Sequence, residues 1–201
     1  MIPIILVGGI PGVGKTSISS YIAREFNINI VLSGDYLREF LRPYTTSEIL
    51  SKSVYDSWQF FGEKTDENIV RGYTAQSEVI YKGINSVFNR AISNGEPLIL
   101  ETLYFLPAFL NKDIVDKILK IFIYVSDDKK HENMLVSRTE YTHKNSPGER
   151  LIKQLPVYNK ISDYSIEESK GYDVFLINNV DYEDTKEKIK KYLKSNFENI
   201  N

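Results

Sequence analysis

A glycine-rich segment near the beginning of the sequence carries the strongest chemical signal. The pattern G-x-x-x-x-G-K-[ST] is matched by Gly9-Ile10-Pro11-Gly12-Val13-Gly14-Lys15-Thr16, and Ser17 follows it. The glycines of such a loop let backbone N–H groups turn inward around phosphate oxygens. Its lysine reaches the β- and γ-phosphates of a nucleotide, and its hydroxyl can bind Mg²⁺. We therefore predict that residues 9–17 bind a nucleoside triphosphate, with Lys15 in a catalytic role and Thr16 as a Mg²⁺ ligand.

Two carboxylates follow apolar runs that have the length of buried strands. Asp35 comes shortly after the run 28–32, and Glu101 comes directly after the run 98–100. An acid at the C-terminal end of a strand faces the crevice in which α/β sheets bind ligands. Asp35 is therefore predicted to orient or deprotonate an acceptor hydroxyl. Glu101 is predicted to orient Mg²⁺ or to contact the acceptor. The alternatives are a helix cap for Asp35 and a plain strand-terminal acid for Glu101.

Three arginines and one tryptophan complete the predicted site. Arg38 lies three residues after Asp35, on the same helical face, and could hold an anionic acceptor group bidentately. Arg42 lies one further turn along and is a second candidate for the acceptor. Arg138 belongs to a charged stretch that could close over the phosphates, with Arg150 as an alternative. Trp58 is predicted to contact the acceptor, although aromatic clusters more often pack in the core.

The loop defines a ligand class but not a reaction, because switch GTPases, motor ATPases and small-molecule kinases all use it. The segment 178–181 reads N-N-V-D where a guanine-binding sequence would have N-K-x-D, and no D-x-x-G follows Leu100. The chain is also too short for a typical motor domain. A compact phosphoryl-transfer enzyme is the remaining class. A kinase acting on RNA and a nucleotide-dependent interaction protein stay open as alternatives.

Five short apolar runs alternate with stretches of helical spacing along the chain. The runs are residues 2–7, 28–32, 98–100, 120–125 and 174–177. This alternation favours an α/β fold with a mostly parallel five-stranded sheet flanked by helices. We predict one domain over residues 1–201, with a mobile acceptor-side segment at about 43–66 and a lid at about 127–156.

Composition and charge exclude several classes of site. The sequence has no cysteine and only two histidines, His131 and His143, so thiolate and multi-histidine metal sites are excluded. A formal charge of −2 argues against nucleic acid and anionic membranes as partners. No Lys or Arg precedes the apolar run 2–7, and glycines interrupt it early, so we expect a strand and a cytoplasmic location. The sequence gives no indication of oligomeric state.

Several segments together resemble the archaeal 2-phosphoglycerate kinase family. The segment 31–39 reads V-L-S-G-D-Y-L-R-E, which is similar to the strand and D-x-x-R motif of that family. The segment 53–58, S-V-Y-D-S-W, is similar to its S-S-Y-x-A-W block. Residues 98–101 and the pair Leu106-Pro107 resemble the next block, and the match spans about residues 1–110. Two departures lie on the acceptor side: Thr102 follows the strand-end glutamate where the family tends to have glycine, and Ser57 replaces alanine.

The resemblance implies a P-loop NTPase fold of the nucleoside-monophosphate-kinase-like type. It also implies an ATP- and Mg²⁺-dependent kinase that phosphorylates the 3-hydroxyl of 2-phosphoglycerate to give 2,3-bisphosphoglycerate. The residues alone predict only a kinase of a small, anionic hydroxyl compound. Another small-molecule kinase, with a nucleotide, sugar, amino acid or polyol as acceptor, is the main alternative.

Overall fold

The computed structural model describes residues 2–141 and 148–198, without the side chains of residues 138–141 and 198. A five-stranded sheet with the order β2-β3-β1-β4-β5 forms its centre, and every pair of neighbouring strands is parallel. The strands are β1 (Ile4–Gly8), β2 (Ile30–Ser33), β3 (Leu98–Thr102), β4 (Leu119–Tyr124) and β5 (Val174–Asn178). Each of the five predicted apolar runs forms one of these strands. The predicted parallel α/β fold is therefore confirmed.

Helices cover the sheet and connect its strands. They are α1 (Lys15–Glu25), α2 (Gly34–Leu41), α3 (Asp66–Asn94), α4 (Lys112–Val115), α5 (Asp128–Tyr141), α6 (Gly148–Ile152), α7 (Leu155–Glu168) and α8 (Tyr182–Glu198). The longest, α3, starts where the Thr65 hydroxyl accepts a hydrogen bond of 3.2 Å from the Asn68 N–H. Along α3, buried side chains recur at spacings of three and four, so one stripe of the helix faces the core.

The sheet brings the predicted site residues to one edge. β3 lies between β1 and β2, and the register pairs Gly8 with Thr102 and Ser33 with Glu101. The C-terminal ends of these three strands therefore lie side by side. The glycine-rich loop follows β1, Asp35 follows β2, and Glu101 is the penultimate residue of β3. This edge is where a parallel sheet with right-handed crossovers binds its ligands.

The predicted acceptor-side segment, residues 43–66, is built largely from short 3₁₀ turns. Two of them, Glu48–Ser51 and Val54–Phe60, pack against α3. The approach is close at Gly72, where a Cβ atom would lie only 2.4 Å from the Ser57 hydroxyl. In the other irregular region the described residues form α5, α6 and the start of α7. Mobility of both segments, and the single domain, stay predictions.

No helix in the described ranges combines the length and the apolar character needed to cross a bilayer.

Candidate functional site

The glycine-rich loop is held by a contact within itself and by contacts from two other parts of the chain. Gly12 and Gly14 adopt positive φ angles of 85° and 91°, which favour glycine. A Cβ atom on Gly14 would also lie 2.6 Å from the side-chain amide of Asn179. That amide donates a hydrogen bond of 2.9 Å to the Val13 carbonyl, while Lys15 Nζ donates one of 3.0 Å to the Ile10 carbonyl. These hydrogen bonds fix the shape of the loop.

His131 provides the contact from α5 and is a functional candidate that sequence reasoning missed. The sequence suggests an exposed histidine, but the side chain is only 2% exposed, and its Nε2 lies 2.8 Å from the Pro11 carbonyl. The neutral ring donates this hydrogen bond from Nε2. Leu135, one turn along α5, packs against Gly12. Because 120 residues separate His131 from Pro11, no local spacing pattern could have indicated the contact.

The contact makes a prediction about pH. Burial lowers the pKa of His131, partly opposed by its hydrogen bond to Pro11. The unfolded chain therefore binds this proton at a higher pH than the folded chain, so stability falls as the pH drops below about 6.5. We expect His131→Gln, which keeps a donor toward Pro11, to lose less Tm than the wild type between pH 7.5 and 5.5. Thermal unfolding followed by circular dichroism measures this, and His143→Gln separates the second histidine. Equal losses for wild type and His131→Gln would contradict the assignment.

Thr16 and Glu101 form the pair that fits a metal ion. The Thr16 hydroxyl donates a hydrogen bond of 3.0 Å to Glu101 Oε1. The other carboxylate oxygen, Oε2, is buried and has no hydrogen-bond partner among the described residues. Burial raises the pKa of Glu101, and the nearby Lys15 opposes the shift. A hydroxyl and an unsatisfied carboxylate oxygen are the hard ligands that Mg²⁺ prefers, together with nucleotide phosphates and water.

Among the described residues, no cluster of three or more His, Cys, Asp or Glu side chains could hold a metal ion by itself. The fit of Thr16 and Glu101 therefore depends on oxygens brought by a nucleotide.

A cleft of about 760 Å³ opens above this edge of the sheet and brings most of the predicted residues together. Its polar and charged lining comes from the loop, from the ends of β2 and β3, and from α2 and α6. From the predicted set it includes Pro11, Gly12, Gly14, Lys15, Thr16, Ser17, Asp35, Arg38 and Glu101, together with Arg150. Gly9, Ile10 and Val13 belong to the same loop without lining the cleft. An apolar and aromatic lining is provided by Val54, Tyr55, Leu103, Tyr104, Leu151 and Tyr158.

Arg38 lines the cleft but also holds part of its wall. Its Nη2 donates hydrogen bonds of 2.7 Å to the carbonyls of both Leu50 and Lys52, and Nη1 pairs with Glu39. The side chain is 14% exposed. Arg38 is thus bonded to backbone carbonyls 12 and 14 residues away along the chain. A contact between Arg38 and an acceptor would therefore be made by a guanidinium that is also bonded to these two carbonyls.

Two other predicted residues, Arg42 and Trp58, lie apart from the shared cleft. Arg42 is exposed on the surface, where it pairs with Glu39 at 2.9 Å. Trp58 is partly buried in the 3₁₀ turn that packs on α3, and its indole Nε1 is buried without a partner among the described residues. Arg138 falls within α5, but its side chain lies outside the described residues. His143 also lies outside them.

Thr102, the departure from the family pattern, has a specific place beside the site. Its hydroxyl oxygen accepts a hydrogen bond of 3.0 Å from the Tyr104 N–H. On its other side it packs against Gly34, where a Cβ atom would lie 2.4 Å from the same oxygen. Thr102 thus fills the space beside Gly34, immediately before Asp35.

Sequence comparison places the chain among known proteins. A family model described as an AAA domain matches residues 8–147. The mevalonate-3-phosphate 5-kinase of Thermoplasma acidophilum is 48% identical over 180 residues, covering 89% of this chain and 89% of that protein. The 2-phosphoglycerate kinase of Methanopyrus kandleri is 28% identical over 198 residues, covering 96% of this chain but only 61% of that protein.

Among solved structures, shikimate kinase from Acinetobacter baumannii in complex with shikimate aligns over 100% of this chain and 96% of that chain. The TM-score is 0.51 at 15% sequence identity, so this similarity concerns the fold alone. The predicted enzyme class, a P-loop phosphotransferase, is confirmed by the sequence relatives, whereas the resemblance to 2-phosphoglycerate kinases holds only at the level of the family. Because the family model spans more than half of the chain, the protein belongs to the AAA domain family, as one of its P-loop small-molecule kinases.

Proposed function

We propose that the protein is an ATP-dependent kinase that phosphorylates the 5-hydroxyl of mevalonate 3-phosphate. The observation that carries this proposal is the 48% identity to the mevalonate-3-phosphate 5-kinase of Thermoplasma acidophilum, across nearly the whole of both chains. The identity to the Methanopyrus 2-phosphoglycerate kinase is 28%. A phosphorylated hydroxy acid as acceptor also agrees with the small anionic compound predicted from the residues.

The chemistry of the cleft supports this acceptor. Mevalonate 3-phosphate carries a carboxylate, a phosphate ester, a methyl group and three methylene groups, one of them bearing the primary hydroxyl. The cations Lys15, Arg38 and Arg150 line the cleft and suit the anionic groups. The side chains of Val54, Leu103 and Leu151 also line it and suit the methyl and methylene groups. 2-Phosphoglycerate has no methyl group and would cover less of this apolar lining.

In the proposed reaction, each residue of the loop and of the strand ends has one task. Lys15 and the backbone N–H groups of the loop hold the β- and γ-phosphates and neutralise the charge that develops during transfer. Asp35 orients the acceptor hydroxyl and accepts its proton. The acceptor oxygen forms a bond to the γ-phosphorus as the bond from that phosphorus to the β,γ-bridging oxygen breaks, and ADP keeps the bridging oxygen. Arg38 and Arg150 hold the anionic groups of the acceptor.

The metal site is proposed from the same geometry. Thr16 Oγ1 and Glu101 Oε2 would hold Mg²⁺, the second oxygen directly or through water. When bound, Mg²⁺ would screen the negative charge of the β- and γ-phosphates. Glu101 in turn stays fixed through its hydrogen bond to Thr16. We leave Trp58 and Arg42 out of the proposed acceptor site because neither lines the cleft. The cytoplasmic location stays a prediction.

The test is ADP release in the presence of ATP and Mg²⁺, with each candidate acceptor in turn. The acceptors are mevalonate 3-phosphate, unphosphorylated mevalonate, 2-phosphoglycerate and shikimate. We expect kcat/KM for mevalonate 3-phosphate to exceed that for each of the others by at least about 100-fold, because buried polar groups are left unpaired by an acceptor that lacks the matching anion. Phosphorus NMR of the product should show two phosphate monoesters.

A second candidate acceptor, 2-phosphoglycerate, is favoured by the D-x-x-R segment and by the match over 96% of this chain. If 2-phosphoglycerate were turned over preferentially, it would replace mevalonate 3-phosphate as the proposed acceptor, and the proposed phosphoryl-transfer mechanism would stay the same. ATP hydrolysis that no acceptor stimulates would contradict both acceptors.

A further inference from the structure

A buried amide on α3 connects two walls of the cleft, and the proposed reaction does not use it. Gln76 is fully buried, although the sequence suggests a surface position. Its Nε2 donates hydrogen bonds to the carbonyls of Ile49 at 2.7 Å and Lys52 at 2.9 Å. Its Oε1 accepts a hydrogen bond of 2.8 Å from the Tyr104 hydroxyl. Each polar atom of this side chain therefore has a partner.

The partners allow only one orientation of the Gln76 amide. Reversing it would place Oε1 against two carbonyl oxygens, which have no hydrogen to donate. Burial raises the pKa of Tyr104, so its hydroxyl stays protonated and donates at neutral pH. The contacts from Tyr104 and to the two carbonyls therefore support each other.

The carbonyls that Gln76 holds lie directly before one wall of the cleft. Ser53, Val54 and Tyr55 follow Lys52 and line the cleft. The Lys52 carbonyl accepts two side-chain donors, Gln76 Nε2 at 2.9 Å and Arg38 Nη2 at 2.7 Å. Two donors on one oxygen fix where the wall begins.

Tyr104 belongs to the second of the two walls of the cleft that Gln76 connects. It is 1% exposed, lines the cleft after β3, and stacks on Tyr73 with ring centroids 6.1 Å apart. The Tyr73 hydroxyl in turn accepts a hydrogen bond of 2.8 Å from the Phe105 N–H. The segment after β3 is thus anchored to α3 by tyrosine hydroxyls, and Gln76 links it to the wall at residues 53–55.

We propose that Gln76 is a positioning residue for the phosphoryl acceptor, because it sets the spacing between Tyr104 and the wall formed by residues 53–55. The inference rests on the proposed function in that the acceptor occupies the space between these two walls. Gln76 acts through its partners and does not touch the acceptor. Its loss would take the Gln76 donor from the buried Ile49 carbonyl, leave the Lys52 carbonyl with Arg38 alone and let the wall move, while the phosphate loop keeps its own contacts.

The first test is Gln76→Met, which keeps the length of the side chain and removes its donors and acceptor. We expect kcat/KM for the acceptor to fall by about 10-fold or more, through KM, because misplaced binding groups weaken acceptor binding. The KM for ATP should stay within about twofold of the wild type, since the phosphate loop is untouched.

The matched control is Asn85→Leu on the same helix. Asn85 Nδ2 donates to the Phe109 carbonyl at 2.9 Å, and its Oδ1 accepts from the Asn111 N–H at 3.0 Å, but none of these residues lines the cleft. This variant should lose stability without a change in acceptor KM. Equal changes in acceptor KM for Gln76→Met and Asn85→Leu would overturn the proposal, as would an unchanged KM for Gln76→Met.

Tyr104→Phe keeps the inference testable if Gln76→Met does not fold. It removes one hydroxyl and leaves the Gln76 amide without that partner. We expect a smaller effect in the same direction, a rise of about threefold in acceptor KM. Hydrogen exchange of the amides at residues 49–55 is a readout that needs no acceptor, and exchange should quicken there in both variants. If the wild type rejects mevalonate 3-phosphate, the proposed function fails, and the same comparison is made with the acceptor that it does use. Unchanged exchange at residues 49–55 would then count against Gln76 alone.

Discussion

Replacement of Lys15 by methionine is expected to lower kcat by about 100- to 1,000-fold with ATP and the preferred acceptor. Methionine has a similar length but carries no charge. The substitution therefore removes the lysine ammonium group, which can stay beside the negative charge as that charge moves from the γ-phosphate to the bridging oxygen. It also removes the hydrogen bond of 3.0 Å from Nζ to the Ile10 carbonyl. Steady-state ADP release at saturating ATP and acceptor measures the effect.

Lys188→Met is the control for the loss of a lysine. Lys188 lies on α8, is 59% exposed and pairs with Asp184. Its replacement should leave kcat unchanged, because exposed ion pairs contribute little. A Lys15→Met enzyme with kcat close to that of Lys188→Met would remove Lys15 from the proposed mechanism.

Replacement of Glu101 by glutamine is expected to lower activity and raise stability at the same time. Glutamine keeps an oxygen that can accept the hydrogen bond from Thr16, but it carries no charge to hold Mg²⁺. We expect kcat/KM to fall by about 100-fold or more, with a higher Mg²⁺ concentration needed for half-maximal rate.

The gain in stability follows from the buried carboxylate. Burial raises the pKa of Glu101 in the folded chain, so ionisation at neutral pH costs folding free energy. This cost is absent below the unfolded pKa of about 4.5 and grows as the pH rises through the folded value. The Tm of Glu101→Gln should therefore exceed that of the wild type at pH 8, and the difference should shrink toward pH 4.5.

Glu96→Gln is the matched control, two residues before the start of the same strand. Glu96 precedes the other end of β3, where it pairs with Arg90 at 3.6 Å, and it does not line the cleft. It should change neither the Mg²⁺ dependence nor the pH dependence of Tm. A Glu101→Gln enzyme that keeps the wild-type Mg²⁺ dependence would argue against the proposed metal site.

The parts of this fold that depend on neighbouring residues could be predicted from sequence. The glycine-rich loop is a contiguous pattern, and its position between β1 and α1 follows from the residues around it. The strands could be recognised because each is a short apolar run. Asp35 and Glu101 could be placed at one edge of the sheet because the ends of parallel strands meet there.

The remainder depends on contacts between distant segments. No local pattern indicates that β3, rather than β2, lies beside β1. Gln76 has a side-chain type that is usually exposed, but it lies on the buried stripe of α3, where it bonds to the Ile49 carbonyl and the Tyr104 hydroxyl. Arg38 could be assigned to the acceptor from its helical spacing. Its hydrogen bonds to the carbonyls of Leu50 and Lys52, in and just after the 3₁₀ turn Glu48–Ser51, could not be predicted in this way. The phosphate loop packs against His131, although 120 residues separate His131 from Pro11 in the sequence.

The close contact between Gly34 and Thr102 has a consequence for how this site can change during evolution. The two residues share one small volume at the ends of β2 and β3, and the Thr102 side chain already occupies it. A larger residue at position 34 would require a smaller one at position 102, so the two positions are expected to covary. Since Asp35 follows Gly34 directly, exchanging which position carries the side chain would shift the proposed catalytic carboxylate relative to the acceptor. One paired substitution could thus redirect acceptor choice without altering any residue that binds the nucleotide.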